Sequence, residues 1–265
     1  MIKIRCSMLS SYQDCPRRSA AKQWRSMISD AGYTLRELPP KIGASVGTGY
    51  HAAAKLAMQT KKETGTAAPE NDAIESGVVE FRNITRDGVV WDATTNNSNI
   101  AEKQLQILVR AFYNESEPKI QPVNVEIFRK AESKGGFLLT GSSDSESTDT
   151  MDDWKSGVKS RSCSAQLGGY LILRLSNGGN PVNVLRQHYN PRVSLKKPHP
   201  GITVYDYDPK QGVSEAFAAI NRIKYDVEQF IKTGSPQSFP ANPMSMLCSD
   251  KWCPAWGTGW CGLGV

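Results

Sequence analysis

No apolar run in this 265-residue chain approaches the roughly 20 residues that a membrane-spanning helix needs. The opening MIKIRCSMLSSYQDCPRRS also lacks the apolar centre of a signal peptide. The expected location is therefore the cytoplasm in which the chain is made, with no membrane partner. Histidine is scarce, at three residues, so each can be judged by its own surroundings. Positive charge is not massed anywhere. The net charge is +6, but the only basic clusters are short, such as Arg17-Arg18, Lys61-Lys62 and Lys196-Lys197. That balance is compatible with a polyanionic partner without requiring one. No internal repeat is apparent, and 39% hydrophobic with 22% charged residues is the mixture of an ordinary globular core. The length suits one good-sized domain over 1–265.

Cysteine is present in a telling arrangement. Six cysteines without an export signal point to metal binding rather than to a disulfide framework. Three of them, Cys248, Cys253 and Cys261, crowd the C-terminal tail, separated by four and then seven residues. Three thiols cannot complete a four-thiolate site, so a fourth must come from elsewhere, and Cys15 is the natural candidate. Such a site would join segments 1–20 and 240–265 and close a loop of more than two hundred residues. Trp252, Trp256 and Trp260 lie around the three tail cysteines in sequence, placed to shield a cluster or to stack on a DNA strand.

The stretch 139–170, LTGSSDSESTDTMDDWKSGVKSRSCSAQLGGY, carries the densest chemistry. Asp144 follows a short apolar run and Gly141, Asp153 and Lys155 come nine to eleven residues later, and Gln166 and Tyr170 close the set. Asp144 and Asp153 are hard oxygen ligands suited to Mg²⁺ or Mn²⁺. On a strand, Asp153 and Lys155 leave the same face while Trp154 points to the other. Gln166 and Tyr170, four apart on a helix, share one face. The plain alternative is a polar hairpin with solvated charges.

The ordered set Gly141, Asp144, Asp153, Lys155, Gln166 and Tyr170 resembles the RecB-like branch of the PD-(D/E)XK nucleases. Ser7, Leu9, Tyr12, Cys15, Pro16 and Arg18 fill an N-terminal pattern of the same family, and Gly47 with His51 matches its G-x-x-x-H helix. One early cysteine and three late ones resemble the iron–sulfur-stapled members, of the AddB and CRISPR-associated exonuclease kinds. The four residues between Cys248 and Cys253 depart from the two that many of those members have. The resemblance implies a restriction-endonuclease-like α/β (α+β) core with a central mixed sheet flanked by helices. It further implies a metal-dependent DNA exonuclease of recombination, repair or processing, of the sort a phage or CRISPR locus carries. The substrate would be single-stranded DNA or duplex ends, and homo-oligomers are compatible with this size. In that reading His51, Asp144 and Asp153 hold Mg²⁺ or Mn²⁺, Lys155 activates water, and Gln166 and Tyr170 position the strand. Glu126 assists metal or fold, or is simply an exposed strand glutamate. Cys15, Cys248, Cys253 and Cys261 hold a [4Fe–4S] cluster, with Zn²⁺ as the alternative. Two rival functions are a non-catalytic DNA-binding partner that keeps the fold, and a zinc-stapled structural protein.

Periodicity predicts a short helix over 7–18, capped by Ser10 or Ser11 and broken at Cys15-Pro16. A Pro/Gly-rich loop over 39–48 would lead into a helix with His51 in its first turn, and 63–77 reads as a loop or helix break. Further helices are expected over 100–113, 162–175 and 213–232, the last with Phe217, Ile220, Ile223, Val227, Phe230 and Ile231 as its buried stripe. Strands are expected over 122–129, 136–144, 149–155, 181–189 and 201–207. The polar run from Thr148 to Asp152 suggests that the Asp153 strand is a short edge strand, or that Asp152 faces the metal instead. His188 and His199 read as surface or structural residues.

Overall fold

The computed structural model describes residues 1–133 and 135–263. A strand β1 (Ile2–Arg5) runs directly into helix α1 (Cys6–Asp14), and α2 (Pro16–Gln23) and α3 (Arg25–Asp30) follow. Because α1 already starts at Cys6, Ser10 and Ser11 lie inside it instead of capping it, and the Ser11 hydroxyl donates to the Met8 carbonyl, 2.9 Å. Pro16 cannot continue a helix and keeps the residue before it extended. Cys15 accordingly sits between α1 and α2 with φ −152° and ψ 100°.

The Gly-rich segment after Pro40 is helix, not loop: α4 spans Ile42–Thr64 and α5 spans Glu70–Thr85. Its glycines serve a close crossing. A Cβ on Gly49 would lie 2.7 Å from the Gly77 carbonyl of α5, and one on Gly77 would meet the Gly49 carbonyl at the same distance. His51 is thereby moved from an expected first turn to the third turn of α4. With α6 (Ser98–Glu115), these helices form one apolar cluster against Trp154.

The expected strand over 122–129 is interrupted. It forms β2 (Asn124–Val125) and β3 (Phe128–Ser133), with Glu126 at φ +47° between them. Opposite lie β4 (Phe137–Ser142) and β5 (Ser145–Glu146), broken at the same level. Val125 pairs with Ser145 and Phe128 with Ser142, so Glu126 and Ile127 face Ser143 and Asp144 across a bend in one long hairpin. The bend sends the halves into different sheets. β1, β4 and β3 form a three-stranded sheet in which β1 runs parallel to β4. The other sheet has order β2, β5, β6 (Thr150–Gly157), β7 (Val184–Pro191) and β8 (Thr203–Tyr207). Parallel and antiparallel pairs coexist in both, giving mixed sheets flanked by helices, the α/β class expected.

β6 is central, between β5 and β7, and not an edge strand. Its polar character is answered by partners: Asp152 faces buried His188 of β7 at 2.8 Å, and its other oxygen accepts from Thr150, 2.8 Å. His188 is thus structural and fully buried.

Helix α7 (Ser164–Ser176) crosses α8 (Pro209–Thr233) over bare backbone. A Cβ on Gly168 would lie 1.9 Å from the Gly212 carbonyl oxygen, a contact that a flexible side chain cannot relieve. Gly168→Ala is expected to force the helices apart and cost about 3 kcal/mol, near the top of the usual overpacking range. Thermal melting should fall by about 6–12 °C, and a shift under about 2 °C would contradict so close a crossing. On α8 the buried stripe is Ala216, Ala219, Ile223, Val227 and Phe230, while Phe217 and Ile231 are exposed, contrary to expectation. Those two flank the stripe and miss the core, which Tyr12 enters by donating to buried Asp226, 2.7 Å.

Candidate active site

Four segments converge on one point: α4, the hairpin bend, β6 and α7. The bend supplies two carboxylates. Glu126 takes a left-handed conformation uncommon for a residue with a side chain, and its N–H donates to the Asp144 carbonyl at 3.2 Å. Its carboxylate meets Lys55 of α4 at 2.8 Å. Asp144 is anchored by the Trp154 backbone N–H, 2.7 Å, and faces the His51 imidazole, 3.3 Å. His51 and Lys55 are one helical turn apart, so a single face of α4 addresses both acids. Ligand atoms of His51, Glu126 and Asp144 all lie within 4.8 Å of one another.

Asp153 stands beside this group and not within it. Its Oδ2 lies 2.7 Å from the Lys155 ammonium, and its Oδ1 accepts from the Gln166 amide, 3.0 Å, which also donates to Tyr170 Oη, 2.9 Å. The Lys155 ammonium is the one charged partner of that buried Oδ2 among the described residues. Tyr170 can reach this position because Gly141 has no side chain; a Cβ there would lie 2.6 Å from the ring. On the other face of β6, Trp154 packs edge-on against Phe112 and His51, centroids 5.4 and 6.4 Å apart.

The electrostatics of the two aspartates diverge. Burial pushes the Asp144 pKa up, but His51, Lys155 and the Trp154 N–H outweigh it and hold the group below the usual carboxylate range. For Asp153 burial prevails over Lys155, and the Asp144 charge adds to it, so its pKa is raised. Burial works against charge on Lys155, yet the two aspartates carry its pKa well above the ordinary lysine value. The His51 pKa is likewise raised, burial being overcome by Asp144. Three carboxylates (Glu126, Asp144, Asp153) face two ammonium groups (Lys55, Lys155), which leaves a surplus negative charge when His51 is neutral.

Some of these contacts had no reading in the sequence. Lys55 is one. Another is Glu146, buried behind the bend and bound by Arg129, by Ser143 at 2.6 Å and by Asn124 at 3.2 Å. A third is the chain Ser116–His188–Asp152, with links of 2.9 and 2.8 Å. It has the connectivity of a hydrolase triad, but all three residues are buried and it serves to tie the end of α6 to β6 and β7.

At the other end of α1, Cys15, Cys248, Cys253 and Cys261 line one small cavity together with Arg18 and Trp256. Burial, with Cys261 and Cys15 nearby, pushes the Cys248 and Cys253 thiols up. The tail is also held by direct bonds. Arg17 donates to the Phe239 carbonyl at 2.9 Å and the Cys261 carbonyl at 2.8 Å. Only Trp256 of the three tail tryptophans lines that cavity; Trp260 is in the core against Phe230 and Phe239, and Trp252 faces another groove.

No protein-family model matches this chain, and no curated protein sequence does. Among solved structures, a candidate exonuclease from Eubacterium rectale superposes with a TM-score of 0.44 at 10% identity. The match covers 68% of this chain and 66% of that one, so this chain spans less than two thirds of that protein's length. LHK-Exo, an alkaline exonuclease from Laribacter hongkongensis also solved with dAMP, gives a TM-score of 0.30 at 12% identity. That match covers 69% of this chain and 96% of the other. Among the described residues no helix is long and apolar enough to cross a membrane.

Proposed function

We propose that this chain is a metal-dependent deoxyribonuclease with a restriction-endonuclease-like core of the RecB-like type, a single nuclease unit over 1–265. Its substrate would be single-stranded DNA or duplex ends. The observation that carries this reading is the convergence of His51, Glu126 and Asp144 beside Asp153 and Lys155. Divalent-metal binding fits the donor set: one imidazole and hard carboxylate oxygens, with three ligand atoms within 4.8 Å of one another and the Asp153 carboxylate beside them. His51, Glu126, Asp144 and Asp153 would hold Mg²⁺ or Mn²⁺. When bound, that ion supplies Lewis-acid polarisation of the phosphate and a bound water of lowered pKa.

The chain's own residues do the rest. The Trp154 N–H and Gln166 lock the two aspartates in orientation, so they need no reordering when substrate arrives. Lys155, an ammonium held by Asp153, sets positive charge where a phosphate in transfer gathers negative charge. Tyr170 buttresses Gln166 from the next turn. The four-cysteine cavity fits a metal staple between 1–20 and 240–265. Four thiolates would hold a [4Fe–4S] cluster, or Zn²⁺ as the alternative, since both accept that donor set.

The direct test is incubation of end-labelled single-stranded DNA with anaerobically purified protein. Label should be released with Mn²⁺ or Mg²⁺ and retained when a chelator is present. Intact DNA under both conditions, from folded protein, would leave a DNA-binding or structural role and end the nuclease reading.

A further inference from the structure

Two adjoining cavities run from Lys155 towards the C-terminal tail. The nearer, about 630 Å³, is lined by Lys155 and Gln166 together with Lys159 and Arg161. The farther, about 990 Å³, shares Ser156, Lys159, Arg161 and Met246 with it and continues to Trp91 and Trp252. Positive side chains line this trough: Lys22, Lys41, Lys159, Arg161 and Lys251. None of the five is ion-paired among the described residues. Three of the four wall carboxylates, by contrast, are already paired with cations, and the fourth, Glu215, accepts from the Gln211 amide at 3.0 Å. Asp92 pairs with Arg192 at 2.7 Å, Glu37 with Arg25 at 3.2 Å, and Asp14 with Arg18 at 3.0 Å. Partial dehydration and the nearby Arg18 and Arg161 guanidiniums lower the Lys22 pKa.

The two indoles are unusual for this molecule. Trp154 and Trp260 are fully buried, whereas Trp91 is 38% and Trp252 37% exposed. The Lys41 and Lys251 ammonium groups lie over the Trp252 ring, 5.8 and 5.3 Å from its centroid, as cation–π contacts on flexible stems that a stacking base would displace towards its phosphate. A base lying on that ring would place its phosphate within their reach. Stacking on an indole needs an unpaired base, because a duplex keeps base faces covered by their own neighbours.

We propose that this trough is the path of a single DNA strand, in which Trp91 and Trp252 stack on bases while the five cations hold phosphates. The inference rests on the nuclease reading and adds strandedness to it. It also gives the staple a second purpose, since Trp252 immediately precedes Cys253 and is set in place by the same tail.

The test is fluorescence anisotropy with labelled oligothymidylate of about 20 nucleotides, longer than a typical single-strand site. Buffer without added divalent metal keeps cleavage out of the measurement. Trp91→Ala and Trp252→Ala should each weaken binding about tenfold, while Trp252→Phe stays within about threefold. Affinity for a hairpin duplex of similar length should move less than about twofold in the alanine variants. Replacing Lys159 and Arg161 together by Ala should flatten the log–log salt slope by about 1.4, at roughly 0.7 per lost phosphate contact. Trp91 is remote from the cysteines in sequence, so its variant holds even if Trp252→Ala disturbs the tail. Unchanged single-strand affinity in both alanine variants, or equal losses for strand and duplex, would overturn the proposal. Tight tryptophan-dependent binding without Mn²⁺-dependent cleavage would instead sink the nuclease reading and leave the strand path standing.

Discussion

Asp153→Ala is expected to reduce Mn²⁺-dependent cleavage of single-stranded DNA by about 10³-fold, the loss of several kcal/mol of transition-state stabilisation. Asp153 holds Lys155 at 2.7 Å and accepts from Gln166 at 3.0 Å, so one truncation removes a candidate metal ligand and frees two positioned groups. Asp144→Ala should do as much by a different route. It removes the acid that meets His51 and Glu126 and strips the Trp154 N–H of its acceptor. Lys155→Ala separates charge from ligation, because both aspartates remain. Its loss should be smaller, on the order of 10²-fold, as for removal of one electrostatic donor. Initial rates on end-labelled DNA, at protein concentrations corrected for the folded fraction, decide the matter. An Asp153→Ala protein that keeps more than about a tenth of wild-type rate would remove Asp153 from the proposed machinery.

Cys15→Ser should be the most destabilising single change at the tail. Linking Cys15 to Cys248 closes a loop of more than two hundred residues, and a covalent link of that span restricts the unfolded chain by about 5 kcal/mol. If the proposed cluster is present, melting should therefore fall by about 10–20 °C and its visible absorbance should be lost together with it. Arg17 and Asn242 still tie the two ends through backbone carbonyls, so the tail should loosen without leaving the core. Cys163→Ser offers the contrast. That residue is buried before α7, outside the cavity, and its change should leave metal content as in wild type. Equal metal content in Cys15→Ser and wild type would mean that Cys15 is no ligand.

Local periodicity carried much of this structure in the sequence itself. Asp153 and Lys155 share a strand face because alternate residues must, and Gln166 reaches Tyr170 because four residues make about one helical turn. The helix over 98–115 announced itself through Leu105, Leu108, Val109 and Phe112, all buried. What failed was whatever depends on a distant neighbour. Gly43 and Gly47 read as loop residues because glycine ordinarily breaks helices, yet α4 runs through both, and Gly49 beyond them lets α5 press against it. Glu126 read as one position in an alternating strand, whereas the chain breaks its pairing there and turns it onto α4. The Asp152–His188 pair spans 36 residues, so a polar strand looked like an edge when it was the centre of a sheet. Lys55 alone left a usable trace, four residues after His51 on the same helix face.

The bend at Glu126 and Asp144 gives the hairpin an uneven tolerance to change in length. Its closing turn near Gly135 and Gly136 lies at the far end of β3 and β4, away from both carboxylates, and an added residue there is absorbed as turn. One residue inserted between Val125 and Phe128, or between Ser142 and Ser145, would slip the register of a two-residue strand and swing an acid to the opposite side of its sheet. Length variation in natural descendants of this chain should accordingly gather at the turn and avoid the crease, so that the crease behaves as an inherited measure of spacing even where the residues around it drift.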